Sequence, residues 1–154
     1  LLVMNQANSK SHYDKGLSGE KYVASKISEL GYTAIYIGGC QVYSINGNRF
    51  EVVDYVSFKD GRTFWVQVKN KEPRKFYPDT GMELWRYKNL VKYQQKTGLD
   101  ILVLFTDSSK QIYGEWLNGL PSCISFCGSR QNTKTNTEMI YWLRDKLKDY
   151  RDLL

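Results

Sequence analysis

Asp60-Gly61 stands between two strand-like runs, VVDYVSFK before it and RTFWVQVK after it. A two-residue Asp-Gly connection is a strong hairpin signal, because the turn that matches strand twist needs positive φ at both central positions. The turn also fixes the register. Lys59 must face Arg62, and counting outward from that pair sets Asp54 across from Gln67. Directly opposed residues share a face of the sheet, with Cβ atoms about 5 Å apart. Along residues 64–71, FWVQVKNK, side chains alternate, so Phe64, Val66 and Val68 take one face while Trp65, Gln67 and Lys69 take the other. A carboxylate, an amide and an ammonium therefore converge on one patch of a ribbon whose opposite face is apolar.

The flanking pattern predicts what covers this ribbon. Residues 17–30 read as a helix, with Ser18 as cap, Val23, Ile27 and Leu30 on one face and Gly31 as the stop. Residues 32–45 read as a strand, bulged at Gly38 and Gly39, and residues 46–48 as a turn. Residues 49–58 and 62–69 form the hairpin. A basic loop containing Pro73 and Pro78 leads to a helix over 82–97, ended by Gly98. Residues 100–106, DILVLFT, are a continuous apolar run of the kind that fits a strand covered on both faces. Residues 111–117 suit a partner strand and 118–137 a polar connector, while Ile140, Leu143, Leu147 and Tyr150 mark a closing helix. The order predicts an α/β fold in which a mixed sheet is flanked by helices. With 154 residues, 42% of them hydrophobic, the chain is expected to hold one domain over 16–154 behind a loose leader, 1–15.

Glu20 adds a second carboxylate. It lies three residues before Val23 and seven before Ile27, on the helix face meant for the core. A buried carboxylate needs a cation or must keep its proton. Lys69, or a divalent metal shared with Asp54, meets that need. Taken singly, each residue has a plainer reading: Glu20 as a first-turn acid favoured by the helix dipole, Gln67 and Lys69 as a solvated strand face. Taken together they suit metal-assisted phosphodiester hydrolysis. Asp54, Gln67, the carbonyl of Val68 and Glu20 would hold Mg²⁺, with Mn²⁺ able to substitute, and Lys69 would steady the attacking water or the phosphate charge.

An acid on the first helix, Asp on the second strand, and a Gln-x-Lys triplet on the third strand of an αβββαβ order resemble the PD-(D/E)xK nuclease superfamily, the restriction-endonuclease-like fold. KGLSGEKYVASKISELGY followed by VVDYVSFKDGRTFWVQVKNK is most similar to archaeal Holliday junction resolvases and Mrr-type nucleases. Residue by residue, the resemblance implies that Glu20, Asp54, Gln67 and Lys69 are catalytic. Val53 stands where the family's proline would be, and Gln67 replaces the usual acid, removing one negative charge from the metal site. The implied activity is a Mg²⁺-dependent DNA endonuclease acting on duplex or branched DNA. The alternative is a DNA-binding module that keeps the fold without cutting.

Charge agrees with a polyanionic partner. The net charge is +6, and residues 69–96 hold eight basic side chains against three acidic ones. Lys15, Lys71, Arg74, Lys75, Tyr77, Arg86 and Lys88 are the candidate DNA contacts, with Tyr77 and Trp85 candidates for stacking on bases. Two sites are needed to cut two strands, which predicts a homodimer or higher oligomer, with Tyr141, Trp142 and Leu143 as candidate contacts. Cys40, Cys123 and Cys127 are odd in number, and the single histidine, His12, is far from all of them in sequence, so free thiols are expected rather than a disulfide or zinc site. No run reaches the length of a membrane span, and an intracellular protein is expected.

Overall fold

The computed structural model describes residues 2–38, 42–43, 49–50, 53–72, 74–129 and 137–154, with 2–13, 42–43 and 49–50 described by backbone alone. Helix α1 (Leu2–Glu29) is followed by β1 (Thr33–Tyr36), β2 (Val42–Tyr43), β3 (Arg49–Phe50), β4 (Tyr55–Lys59), β5 (Arg62–Asn70) and β6 (Asp79–Glu83). Then come α2 (Leu84–Thr97), β7 (Ile101–Thr106), β8 (Ile112–Trp116), β9 (Ile124–Gly128), β10 (Met139–Leu143), β11 (Lys148–Asp149) and α3 (Tyr150–Leu153). Short 3-10 turns span Leu117–Cys123 and Arg144–Lys146.

The hairpin forms in the expected register. Asp60 and Gly61 take φ of 51° and 81°, Lys59 pairs with Arg62, and Tyr55 pairs with Val66. This ribbon sits inside a six-stranded sheet of order β1-β4-β5-β7-β8-β11. β5 and β7 run parallel and the other neighbours antiparallel, so the sheet is mixed, as expected. All six residues of β7 are buried, because both faces of the sheet are covered.

The alternation of β5 decides the two layers. Phe64, Val66 and Val68 join Val23 and Ile27 of α1 in one core, together with Leu102 and Leu104 of β7. Trp65 turns the other way, against Tyr93 of α2 and the core built from Ile101, Val103, Phe105 and Trp142. Val23, Ile27 and Val66 have no exposed surface. Burial of side chains of this size stabilises by about 1.5–3 kcal/mol each, enough to seat α1 firmly on the sheet.

Several expectations are corrected. Helix α1 starts at Leu2 rather than Leu17, so Ser18 is not its cap and residues 2–15 continue the helix; no proline or glycine interrupts that stretch. The strand expected over 49–58 is broken, with β4 beginning only at Tyr55. Residues 79–83, expected as loop and first helical turn, form β6, and α2 starts at Leu84. Residues 139–143 form strand β10 instead of the closing helix, which is confined to Tyr150–Leu153. The supposed connector contains β9, and β6, β10 and β9 make a second, three-stranded sheet. MIYWL is apolar at every position, and both sheet pairing and the core claim it, so its local β preference overrides the helical spacing of Ile140, Leu143 and Leu147. Trp142 and Tyr141 are consequently buried within the chain, which removes them from the expected subunit contact. The bulge at Gly39 and the turn at 46–48 lie outside the described residues, as do Cys40 and the side chain of His12.

Candidate active site

The site is organised at the bend where the chain enters β4. The Asp54 amide donates to the Val66 carbonyl at 3.1 Å, and the Asp54 carbonyl accepts from the amides of Ile37 and Gly38 at 2.9 and 3.1 Å. Held on both sides, the backbone gives the Asp54 carboxylate one direction in which to point. Its Oδ2 accepts from Gln67 Nε2 at 3.0 Å and from the Val68 amide at 2.7 Å. Gln67 Nε2 also lies 3.4 Å from the Val68 carbonyl oxygen. The cross-strand proximity read from the turn is therefore realised as direct contact.

Glu20 arrives from the other layer. On α1 it shares the face of Val23 and Ile27, and its carboxyl hydrogen-bonds with that of Asp54 at the end of the sheet. Glu20 Oε2 is buried with no hydrogen-bond partner. Two carboxyls in contact inside a protein cannot both ionise freely. Burial, reinforced by the charge of Glu20, pushes the Asp54 carboxyl up to about 7, against the pull of the Val68 amide and Lys69. Glu20 is raised as well, by burial, while its bond to Asp54 and the charge of Lys69 pull it down. The pair thus retains a proton far above the ordinary carboxylate range. Tyr55, beside them, is pushed up to about 12 by burial and then by the same two charges, so its phenol stays protonated.

Asp54, Gln67 and Lys69 open into a cleft of about 60 Å³ whose other wall is Met82 of β6 and Arg86, Asn89 and Leu90 of α2. One face of α2 supplies Arg86, Asn89 and Leu90, since residues three and four apart lie together. Arg86 pairs with Glu83 at 3.2 Å and lies 4.6 Å from the Trp85 ring.

The donor set fits a hard divalent cation. Glu20 presents an orphaned carboxylate oxygen and Asp54 a second carboxylate, while Gln67 turns its amide nitrogen, not its oxygen, to Asp54 and to the Val68 carbonyl. Among the described residues no three His, Cys, Asp or Glu side chains gather as a metal cluster. Mg²⁺ asks for no more than one or two carboxylates, completing its shell with water and substrate oxygens.

The expected DNA contacts separate into two groups. Lys15, Lys75 and Lys88 are at least partly exposed, as is Tyr77, and Arg86 lines the cleft. Lys71 is half-buried, 3.5 Å from the Gly81 carbonyl and over the Tyr141 ring, and burial lowers its pKa. Arg74 is committed inside the protein, ion-paired with buried Asp79 and held between the rings of Tyr77 and Tyr141 at 4.3 and 3.9 Å.

Four residues escaped the sequence reading. Tyr55 and Asn89 carry no motif, although the helical spacing from Leu90 and Arg86 places Asn89 toward the cleft. Gly19 and Asn70 flank Glu20 and Lys69 in sequence, and that adjacency was the available signal. Asn70 Nδ2 donates to the Lys15 carbonyl at 2.8 Å, and a Cβ on Gly19 would sit 2.5 Å from the Asn70 Cβ. α1 and β5 thus touch closely where each delivers a site residue. Elsewhere, Cys123 is buried with its thiol 3.7 Å from the Gly119 and Lys146 carbonyls, and Cys127 is exposed; both are free.

No protein-family model and no curated protein matches the chain. Among solved structures it is similar to Hjc, a Holliday junction resolvase from the archaeal hyperthermophile Archaeoglobus fulgidus, with a TM-score of 0.60 and 14% sequence identity. The likeness covers 89% of this chain and 98% of that one. The fold is the restriction-endonuclease-like fold expected from the motif order. No helix among the described residues is long and apolar enough to cross a membrane.

Proposed function

We propose that the chain is a divalent-cation-dependent DNA endonuclease that hydrolyses phosphodiester bonds in duplex or branched DNA, with Mg²⁺ as its ion and Mn²⁺ as a substitute. The observation that carries this reading is the interaction of the Glu20 carboxyl with that of Asp54, which lines a cleft together with Gln67 and Lys69. Such a pair is unfavourable by itself and becomes favourable around a cation. Glu20, Asp54, the Gln67 side-chain oxygen and the Val68 carbonyl would hold it. A cation bound there supplies neutralisation of phosphate charge and acidity for an attacking water.

The remaining chemistry belongs to the chain. Lys69 carries a positive charge beside both carboxylates and would stabilise the negative charge that builds on phosphate oxygen. Arg86, across the cleft, would fix the phosphate in place, and Asn89 would orient it. Lys15, Lys75 and Lys88 would meet neighbouring phosphates, adding affinity that falls with salt. The likeness in fold to a Holliday junction resolvase supports branched DNA as the substrate to try first. Cutting two strands takes two sites, which a homodimer would supply. An intracellular setting accords with free cysteines.

The test is incubation of supercoiled plasmid, a four-way junction and plain duplex with Mg²⁺, using wild type beside Lys69→Ala and Asp54→Ala. Nicking by wild type that both variants lose supports the enzyme. Tight binding with no cleavage across that panel would favour the non-cutting module, in which Gln67 leaves too little negative charge to hold the ion.

A further inference from the structure

Residues 74–78, RKFYP, lead into β6 and carry two cations and no acid. The base of this loop is tightly built. Arg74 is ion-paired with Asp79 and held between the Tyr77 and Tyr141 rings, and Ser125 Oγ donates to Asp79 Oδ2 at 2.9 Å. The Asp79 amide donates to the Tyr77 carbonyl at 2.8 Å, and the Arg144 amide donates to the Pro78 carbonyl at 2.9 Å. On this mount Phe76 is 83% exposed, the most exposed large apolar side chain among the described residues. Lys75 lies beside it, its Nζ 5.5 Å from the Phe76 ring centre.

The bonds at the loop's base hold Arg74, Pro78 and Asp79, and Phe76 extends from them as an apolar side chain beside a cation, the pairing that an inserting side chain and a phosphate contact require. The chemistry beside it suggests the partner, since among the described residues of the tip, 75–77, the charge is the cation of Lys75. The loop also leads into the strand that reaches the cleft: β6 begins at Asp79, its Met82 lines the cleft, and Lys71 Nζ lies 3.5 Å from the Gly81 carbonyl.

We propose that Phe76 is a wedge that enters a base step of DNA beside the cleft, with Lys75 on the adjoining phosphate, and that it selects DNA whose stacking is already interrupted at a branch, nick or gap. An inserted apolar side chain must unstack a base step, and that cost is lowest where the stack is already open. Tyr77, braced from behind by Arg74, then offers the ring face on which a displaced base rests. The inference rests on the nuclease reading for the path of the DNA, and its test is made without metal so that cutting plays no part.

Binding of wild type, Phe76→Ala and Phe76→Trp to a four-way junction, a gapped duplex and a continuous duplex would be measured in chelator, with 2-aminopurine at the branch reporting unstacking. Phe76→Ala is expected to lose about tenfold in affinity for the junction and gap and less than about twofold for the continuous duplex. Wild type and Phe76→Trp should raise the 2-aminopurine signal, and Phe76→Ala should not. Equal losses on all three DNAs, or an unchanged signal, would overturn the wedge while leaving the nuclease reading intact. Wild type that binds none of the DNAs would overturn both. A change in sedimentation of Phe76→Ala with unchanged DNA binding would assign the side chain to a contact between copies instead. Because Phe76 is exposed, its variants are expected to melt as wild type does, which a thermal scan verifies.

Discussion

Gln67 and Val68 both donate to the same oxygen of Asp54, the side-chain amide across 3.0 Å and the backbone amide across 2.7 Å. Oδ2 therefore already accepts two hydrogen bonds, and the carboxyl also interacts with that of Glu20. A third acid at position 67 would take away one donor and add a charge to a pair that already holds a proton.

Gln67→Glu is accordingly expected to destabilise the metal-free protein by about 1–3 kcal/mol, the cost of losing a donor to a buried charged acceptor. For a chain of this length that is a fall in Tm of about 2–4 °C per kcal/mol. Divalent ions should bind the variant more tightly than wild type and recover the lost Tm. Calorimetric titration with Mn²⁺ and a thermal scan with and without it read both effects; weaker ion binding by the variant would show that residue 67 does not face the cation.

The raised Asp54 carboxyl gives stability a pH slope of definite sign. Its folded value, about 7, lies above the ordinary 3.8, so between those values the folded state holds a proton that the unfolded chain has released. Stability of the metal-free protein then falls as pH rises from about 4 to 7, by up to about 1.4 kcal/mol per pH unit for this one proton. Above 7 both states are ionised and the slope vanishes. If divalent ions bind the deprotonated pair as proposed, they should stabilise more at pH 8 than at pH 5. Asp54→Asn should flatten the slope and abolish the ion effect, and denaturant titrations at four or five pH values would expose a slope of the opposite sign.

The hairpin and the meeting of Asp54 with Gln67 were legible because short-range rules fixed them. A two-residue turn with positive φ sets register, register sets Asp54 against Gln67, and the spacing to Val23 and Ile27 turns Glu20 inward. The second sheet was hidden for an equally physical reason. Residues 79–83 include Asp79 and Gly81, poor strand formers, and they are strand only because β10 lies alongside. Gly81 in particular leaves room for the passing chain, since a Cβ there would sit 2.2 Å from the Ile140 carbonyl oxygen. That partner is some sixty residues away, and no local pattern announces it. The role of Arg74 was hidden likewise, because its counter-ion becomes buried only when β6 forms.

Gly19 offers a test of how α1 delivers Glu20. Glycine inside a helix costs about 1 kcal/mol relative to alanine, so propensity alone predicts that Gly19→Ala stabilises. The close approach of Asn70 predicts the reverse, a loss of about 1–3 kcal/mol as α1 is forced off β5. Cleavage should fall with it, since Glu20 is the next residue. Removing the opposing Cβ in Gly19→Ala/Asn70→Gly should return activity toward that of Asn70→Gly alone, a coupling of about 0.5–3 kcal/mol in a double-mutant cycle. Additive losses would mean that the two residues act separately.

Arg74 distinguishes a structural cation from a DNA-binding one. Its side chain is 14% exposed and that of its partner Asp79 only 3%. Removing one member of a buried pair strands the other charge, which costs about 3–5 kcal/mol. Arg74→Ala is therefore expected to lower Tm by roughly 6–20 °C, whereas Lys75→Ala, one residue along and exposed, should leave Tm unchanged and weaken DNA binding at low salt. Engagement of a phosphate is read in the salt dependence: for every phosphate that a variant no longer neutralises, the slope of log affinity against log salt shrinks by about 0.9 on duplex DNA. Lys75→Ala should show that reduction, and Arg74→Ala, measured well below its Tm, should not. An Arg74→Ala protein that melts with wild type but binds DNA with a shallower salt slope would reassign Arg74 from the fold to the substrate.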